Sequence, residues 1–268
     1  MTGTTQVNKI GIPRVILCDL DGVIWLSHKP IAGSVEAIAR LHILGVQVLF
    51  VTNNSATPTP EVEELLDDIG INAAGCVLTS AQAVARLIRP SERVLVCGGA
   101  GLIGQISAIA DVVVGHHEAE PTGIFDAVVV GFHREFSYEV LRRAAQAINS
   151  GARFIASNDD ATYPTPDGPI PGGGAIVAAI SAACGQSAEV AGKPNSAMAD
   201  LVWSRCGDVK PDQMLMVGDR QSTDGKFARL LGCRFALVLS GVTAKSNNSD
   251  ADFIGDTLSD IVKQLETQ

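Results

Sequence analysis

Short, almost wholly apolar runs recur along this chain, and amphipathic stretches separate them. Nine of the runs read as strands: 14–18 (RVILC), 46–51 (VQVLFV), 76–79 (CVLT), 93–97 (RVLVC), 111–114 (DVVV), 126–131 (DAVVVG), 153–156 (RFIA), 214–217 (MLMV) and 235–239 (FALVL). Between them, apolar residues fall at helical spacing over 33–44, 60–69, 80–88, 137–149, 173–184, 194–205, 222–231 and 257–266. A strand that is apolar at consecutive positions is covered on both faces, and strands alternating with helices form parallel sheets. The pattern therefore predicts an α/β protein built on a Rossmann-like, doubly wound parallel sheet.

Two sheets are expected. The polar residues with chemical potential cluster at the two ends of the chain, while the middle repeats a strand–helix alternation of its own. This predicts a discontinuous core domain of residues 1–80 plus 187–268, with a smaller α/β domain inserted over 81–186.

Composition narrows the function. Hydrophobic residues make up 46% of the 268, enough for a sizeable core, and aromatics only 4%. A net charge of −9 argues against nucleic acid as a partner, since that partner selects a basic surface. The six cysteines are scattered without metal-binding or disulfide spacing, which fits a reducing compartment. No signal-like segment and no uninterrupted apolar run of membrane-spanning length is visible, so the expectation is a cytoplasmic protein with no membrane partner.

The first strand raises the chemical question. VILC runs into Asp19-Leu20-Asp21-Gly22, two carboxylates at the end of a buried strand, where a desolvated charge is costly unless paired. Ligands of open parallel sheets bind beyond the carboxyl ends of the strands. Three further loops bring polar groups to such positions: Thr52-Asn53-Asn54-Ser55, Gly192-Lys193-Pro194 and Gly218-Asp219-Arg220, with Thr223-Asp224 close behind. Carboxylates gathered at one point repel unless a cation sits among them, and hard oxygen donors suit Mg²⁺. With a lysine and the donors of the 52–54 loop, the set would hold a phosphoryl group, whose transfer needs charge neutralisation and positioning. One Asp can serve as nucleophile, and the other can move the proton.

In this order, DLDGV, TNNS, GKP and GDR…TD resemble the four motifs of haloacid-dehalogenase-superfamily phosphatases, in the NagD-like or p-nitrophenylphosphatase branch with a large α/β cap. The segment 151–180 is similar to that branch's cap segment Thr-Asn-x-Asp…Pro-Gly-x-Gly. The resemblance covers essentially the whole chain. It implies a Mg²⁺-dependent phosphatase acting on a small phosphorylated metabolite (a sugar phosphate, glycerol phosphate or nucleotide) through a phospho-aspartate. Asp19 would be nucleophile and metal ligand, and Asp21 general acid/base, lending its backbone carbonyl to the metal. Thr52, Asn53 and Lys193 would bind phosphate. Asp219 would complete the protein's metal ligands, with Asp224 supporting the metal shell through water. Asn158, Asp159 and Thr162 are the cap residues expected to select substrate, and a cap-mediated homodimer is in keeping with the branch. The roles of His133 and Asp160 are open at this point.

Plainer readings stand beside these. Asp19 and Asp21 could be turn residues, 52–55 a turn and N-cap, Lys193 a surface lysine, and Asp219 and Asp224 turn and helix-start acids. A calcium loop fails because Val23 and Pro30 would fall at ligand positions. Gly99-x-Gly101-x-x-Gly104 after a strand, with Glu118 beyond, imitates a dinucleotide-binding loop, but the helix would be short and the unit lies inside the insertion. His116 and His117, being adjacent, are read as a solvent-exposed loop end. Cys18 is read as a core residue, and Arg142 and Arg143 as a solvated helix face. A phosphomutase or other phosphotransferase of the same superfamily, a metal-free dehalogenase and a non-catalytic phosphate-binding protein are the competing functions.

Overall fold

The computed structural model describes residues 11–116, 123–163, 165, 168–241 and 250–267. The chain runs from β1 (Val15–Cys18) through a small hairpin of β2 (Trp25–Leu26) and β3 (Lys29–Pro30) to α1 (Ser34–Ile43). β4 (Gln47–Thr52), α2 (Thr59–Asp68), β5 (Val77–Thr79) and α3 (Ser80–Ala85) follow. The middle of the chain supplies β6 (Arg93–Cys97), α4 (Ala100–Ser107), β7 (Asp111–Val114), β8 (Ala127–Val130), α5 (Tyr138–Asn149) and β9 (Arg153–Ala156). A second hairpin, β10 (Thr162–Tyr163) with β11 (Ile170–Pro171), leads to α6 (Gly173–Cys184) and β12 (Glu189–Val190). The chain ends with α7 (Ser196–Cys206), β13 (Met214–Gly218), a π-helical turn over Gln221–Gly225, α8 (Lys226–Leu231), β14 (Arg234–Val238), β15 (Phe253–Gly255) and α9 (Leu258–Glu266).

Two all-parallel sheets result. One has six strands in the order β15-β14-β13-β1-β4-β5, the other five in the order β12-β9-β8-β6-β7. The alternation along each strand explains why the runs are apolar throughout. Val15 and Leu17 of β1 and Leu49 and Val51 of β4 face one apolar cluster, while Ile16, Cys18, Val48 and Phe50 face another. In the second sheet, Val94, Val96, Ala127 and Val129 join the first of those clusters, and Leu95, Cys97, Val128 and Val130 face a third under α5 and α6. The first cluster thus takes side chains from both sheets and from α3, α4, α7 and α8, so one continuous apolar layer ties the sheets together. Among the described residues, no helix is long and apolar enough to cross a membrane.

All nine strands expected from the pattern form, each end falling within one residue of its expected place. The short strands β2, β3, β10, β11, β12 and β15 escape it, because two or three residues do not establish a period. α3 stops before the expected end: Arg86, Leu87 and Ile88 donate to carbonyls three residues back, tightening the turn ahead of Pro90. The helix expected from 222 begins instead as the π-turn, where the amides of Asp224 and Gly225 both donate to the Arg220 carbonyl. β12 lies in the stretch read as core, yet it pairs with β9 of the other sheet.

The glycine-rich turn after β6 has a packing explanation. A Cβ on Gly101 would lie 2.4 Å from the Thr57 carbonyl oxygen, and the Gly101 amide donates to the Ala56 carbonyl at 2.8 Å. The loop after β4 packs directly on these glycines, so their lack of side chains serves that contact. Arg142 is solvated, as read, and holds Glu139 and Gln146, but Arg143 is buried and donates to the Gly115 carbonyl at 3.0 Å. His116 is half-buried against His133, ring centroids 5.6 Å apart, so it is no open loop end. His117 and Glu118 lie outside the described residues.

Leu17 is fully buried where the layers meet, whereas Ile254 on the edge strand is 44% exposed. Leu17→Ala is expected to cost about 2–5 kcal/mol of unfolding free energy, and Ile254→Ala about 0.5 kcal/mol or less. Urea midpoints of the two variants against the parent check this ranking.

Candidate active site

Strand register builds the site. Cys18 pairs with Phe50 on one side and Val217 on the other, so the residues just past each strand emerge at one edge of the six-stranded sheet. These are Asp19 after β1, Thr52 and Asn53 at the end of β4, and Asp219 after β13. Asp19 is anchored there by its amide, which donates to the Val217 carbonyl at 2.9 Å. Cys18 points into the core as expected, fully buried.

Lys193 arrives from the other sheet. β12 pairs with β9 so that Val190 lies beside Ala156, and the Gly192 amide donates to the Ser157 carbonyl at 2.8 Å. The Lys193 side chain then crosses to the first sheet's edge, only 1% exposed. Its Nζ stands 2.8 Å from Asp19 Oδ1 and 2.8 Å from Asp224 Oδ1. A surface lysine is excluded. The other Asp224 oxygen accepts from the Arg220 amide at 3.1 Å, a contact the π-turn creates by doubling the chain back on Arg220.

Asp19, Asp219 and Asp224 offer carboxylate oxygens that all lie within 4.8 Å of one another. Burial pushes the Asp19 carboxyl well above its usual range; Lys193 opposes this, and Asp224 and Asp219 add to it. Burial alone would lower the Lys193 ammonium, but Asp19 and Asp224 outweigh it and hold the group above the usual lysine range. One cation thus faces three buried acids, and the remaining negative charge calls for another. Asp21 adds to the case. Burial raises its carboxyl, and its Oδ1 is buried with no hydrogen-bond partner among the described residues. Gly22 closes the cradle at φ +90°, where a Cβ would stand 2.6 Å from Asp219 Oδ2. A small divalent ion with a preference for oxygen donors fits this set.

The loop after β4 is a scaffold as well as a donor surface. Thr52 is buried, and its Oγ1 accepts from the Asn54 amide at 3.0 Å. The Asn53 side chain grips the main chain of Lys193, accepting from its amide at 2.8 Å and donating to its carbonyl at 3.1 Å. Asn53 therefore spends its amide on placing the lysine. Of the three residues expected to select substrate, Asn158 is buried and donates to the Asn53 carbonyl at 2.8 Å, Thr162 lines the cavity, and Asp159 is exposed and stays out of it.

The cavity over these groups measures about 70 Å³, and residues the sequence reading left without a role also reach it. Arg220, Thr223 and Asp160 line one side; Phe132 and Tyr163, stacked at 5.7 Å, line another. Arg220 and Thr223 stood inside the GDR…TD motif and could have been singled out there. Phe132 and Tyr163 carried no such signal, because only folding brings them together. His133, next to Phe132, is buried away from the cavity, with Nδ1 3.1 Å from the Gly131 carbonyl.

The cluster predicts a metal response that is independent of catalysis. Saturating Mg²⁺, at about 100 times its dissociation constant, adds about 2.7 kcal/mol to the folded state, a rise of several degrees in Tm. Asp219→Asn is expected to erase that rise, as read by differential scanning fluorimetry with and without Mg²⁺. An undiminished response in Asp219→Asn would place the ion elsewhere.

Comparison with known proteins agrees with this construction. Residues 16–109 match a family described as haloacid dehalogenase-like hydrolase, and residues 190–263 match the related HAD-hydrolase-like family. The chain is 37% identical to D-glycerol 3-phosphate phosphatase of Mycobacterium tuberculosis over 234 residues, which is 85% of this chain but only 64% of that protein. A glycerol phosphate phosphatase structure from the same organism, solved in complex with magnesium, superposes with a TM-score of 0.81 at 33% identity, over 96% of this chain and 79% of that one. Mouse chronophin is 32% identical over 91% of this chain and 87% of its own length. The p-nitrophenyl phosphatase of Archaeoglobus fulgidus superposes with a TM-score of 0.85 at 30% identity, over 95% of this chain and all of that one. Spread over both sheets and the whole set of strand-end acids, these likenesses show that the chain belongs to the haloacid dehalogenase-like hydrolases, among their NagD-like and p-nitrophenylphosphatase members.

Proposed function

We propose that this chain hydrolyses phosphate monoesters of small metabolites with Mg²⁺, through a phosphoryl group carried on Asp19. The observation that supports it most is the Lys193 ammonium, 2.8 Å from both Asp19 and Asp224 with Asp219 beside them. That arrangement fixes a buried carboxylate and a cation at one point, where an incoming phosphoryl group is bound and attacked.

Asp19 attacks phosphorus, forming an oxygen–phosphorus bond as the bond to the leaving alcohol breaks. Asp21 donates its proton to the departing oxygen; burial, which raises its carboxyl, keeps that proton available. In the second half, the Asp21 carboxylate takes a proton from water, the water oxygen bonds to phosphorus, and phosphate leaves as Asp19 is restored. Lys193 pairs with the phosphoryl oxygens and keeps Asp19 oriented. Thr52 and the main chain of the 52–54 loop supply further donors, and Asn53 acts by holding Lys193 in place. Asp19, Asp219 and the Asp21 carbonyl would hold Mg²⁺, which when bound neutralises charge on the transferring group. Both oxygens of Asp224 already have partners, which supports its place behind those ligands.

Residues 1–80 with 187–268 serve as the catalytic core in this reading, and 81–186 as a cap that covers the cavity and faces the leaving group. Thr162 belongs to that selecting wall, while Asn158 fastens the cap to the core. Six free cysteines suit a reducing, cytoplasmic setting. A homodimer through the cap is part of the same proposal.

With p-nitrophenyl phosphate and Mg²⁺, Asp19→Asn is expected to lower kcat by roughly 10³-fold or more while circular dichroism stays native. Phosphate release within about tenfold of the parent would remove Asp19 as nucleophile. Chelation should silence the parent and added Mg²⁺ should restore it; turnover indifferent to chelation would defeat the metal assignment.

A further inference from the structure

The loop that carries Asp21 closes on itself. The amides of Val23, Ile24 and Trp25 all donate to the Leu20 carbonyl, at 3.2, 2.9 and 3.2 Å, and the Gly22 amide donates to the Trp25 carbonyl at 2.8 Å. Ser240 Oγ donates to the Gly22 carbonyl at 2.6 Å and pins the turn from outside. Asp21 and Trp25 therefore stand side by side as a bridge pair where the β2–β3 hairpin begins. Trp25 is only 3% exposed, in one apolar cluster with Leu20, Val23 and Ile24, and the His28 ring meets it edge-on at 5.2 Å.

Two orphan groups share that pair. Trp25 Nε1, a donor, and Asp21 Oδ1, an acceptor, are both buried without a hydrogen-bond partner among the described residues. Burial raises the Asp21 carboxyl, and the exposed His28 and then the Trp25 N–H draw it back down. An unpaired buried N–H costs free energy that a phenyl ring in the same place would avoid, so core packing alone gives no reason for an indole. Mg²⁺ would take the main-chain carbonyl of Asp21, which leaves Oδ1 without a part in holding the ion. Hydrogen bonds to a catalytic group are often long before substrate binds and tighten as the site fills. An indole N–H can only donate. Paired with Oδ1, it bars the proton from that oxygen and leaves it on Oδ2 of a carboxyl that lines the cavity. The Tyr163 hydroxyl, also near Asp21, can donate or accept and imposes no such choice.

We propose that Trp25 is a positioning residue for Asp21: its indole N–H engages Oδ1 as substrate binds and so presents the transferable proton, on Oδ2, to the leaving oxygen. The proposal rests on the hydrolase reading above and deepens it at the proton-transfer step. In that step the Oδ2–H bond breaks, the leaving oxygen gains the proton, and Trp25 keeps its own.

The experiment uses leaving groups that differ in their need for a proton. p-Nitrophenolate departs readily as the anion, whereas phenolate departs poorly unless protonated, and the two phosphate esters are nearly alike in shape. kcat/KM, which reports the step that expels the leaving group, is measured for both in the parent and in Trp25→Phe. Loss of the N–H is expected to lower kcat/KM by about twofold or less for p-nitrophenyl phosphate and by about tenfold or more for phenyl phosphate. A folded Trp25→Phe that loses the same factor on both esters, or nothing on either, overturns the proposal. A second measurement does not depend on that variant folding. The chain has two tryptophans, so its indole N–H groups give two NMR signals, which Trp203→Phe assigns. Adding Mg²⁺ and orthovanadate is expected to move the Trp25 signal downfield in the parent and not in Asp21→Ala. A signal that stays in place in the parent, or moves equally in Asp21→Ala, overturns the proposal. A parent inactive on both esters overturns the hydrolase reading and this proposal with it.

Discussion

A buried ammonium shared by two carboxylates is the constraint on which the molecule turns. Lys193 is nearly inaccessible to water, and removing an amine from water is costly unless opposite charges meet it. Asp19 and Asp224, each 2.8 Å away, meet that demand, and they come from opposite ends of the chain. The lysine itself hangs from a strand of the second sheet. Any disturbance in how the two sheets sit would leave a charge unpaired in a dry place, so the site and the packing of the sheets are mutually dependent.

That dependence explains several features that would otherwise look like decoration. Asn53, after a strand of the first sheet, grips the Lys193 main chain, and Asn158, after a strand of the second, reaches back to the Asn53 carbonyl. The Ser55 hydroxyl donates to the Ser157 hydroxyl at 2.8 Å, another polar bond between the sheets. The glycine-rich turn after β6 brings main chain against main chain with no side chain between. Below these bonds, the apolar cluster drawn from both sheets supplies the bulk of the adhesion.

Much of this was legible from the residues. Strands buried on both faces are written as unbroken apolar runs, and all nine such runs form strands. Asp19, Thr52 and Asp219 stand out as charged or hydroxyl residues at the ends of apolar runs, whereas Lys193 and Asp224 are marked only by the GKP and GDR…TD segments that hold them. What stayed hidden depends on distance through space. Two-residue strands such as β12 have no period to read, so the sheet that carries Lys193 could not be assigned. The π-turn has no pattern of its own, and without it the double engagement of Asp224 is invisible. Arg143 looked like part of a solvated pair, and only the fold places the Gly115 carbonyl over it. Asp159 and Asp160 are neighbours in sequence, yet one faces solvent and the other joins three core residues.

The account's central claim is that acids from both ends of the chain and a lysine from the second sheet serve a single magnesium ion and a single phosphoryl group. A crystal structure grown with Mg²⁺ and beryllium fluoride, which caps a nucleophilic carboxylate as a phosphoryl mimic, tests it most directly. The account predicts the beryllium group on Asp19, with Lys193 Nζ in contact with its fluorines and one metal ion touching both Asp19 and Asp219. Beryllium fluoride on another residue, or a metal ion bound away from Asp219, would contradict it.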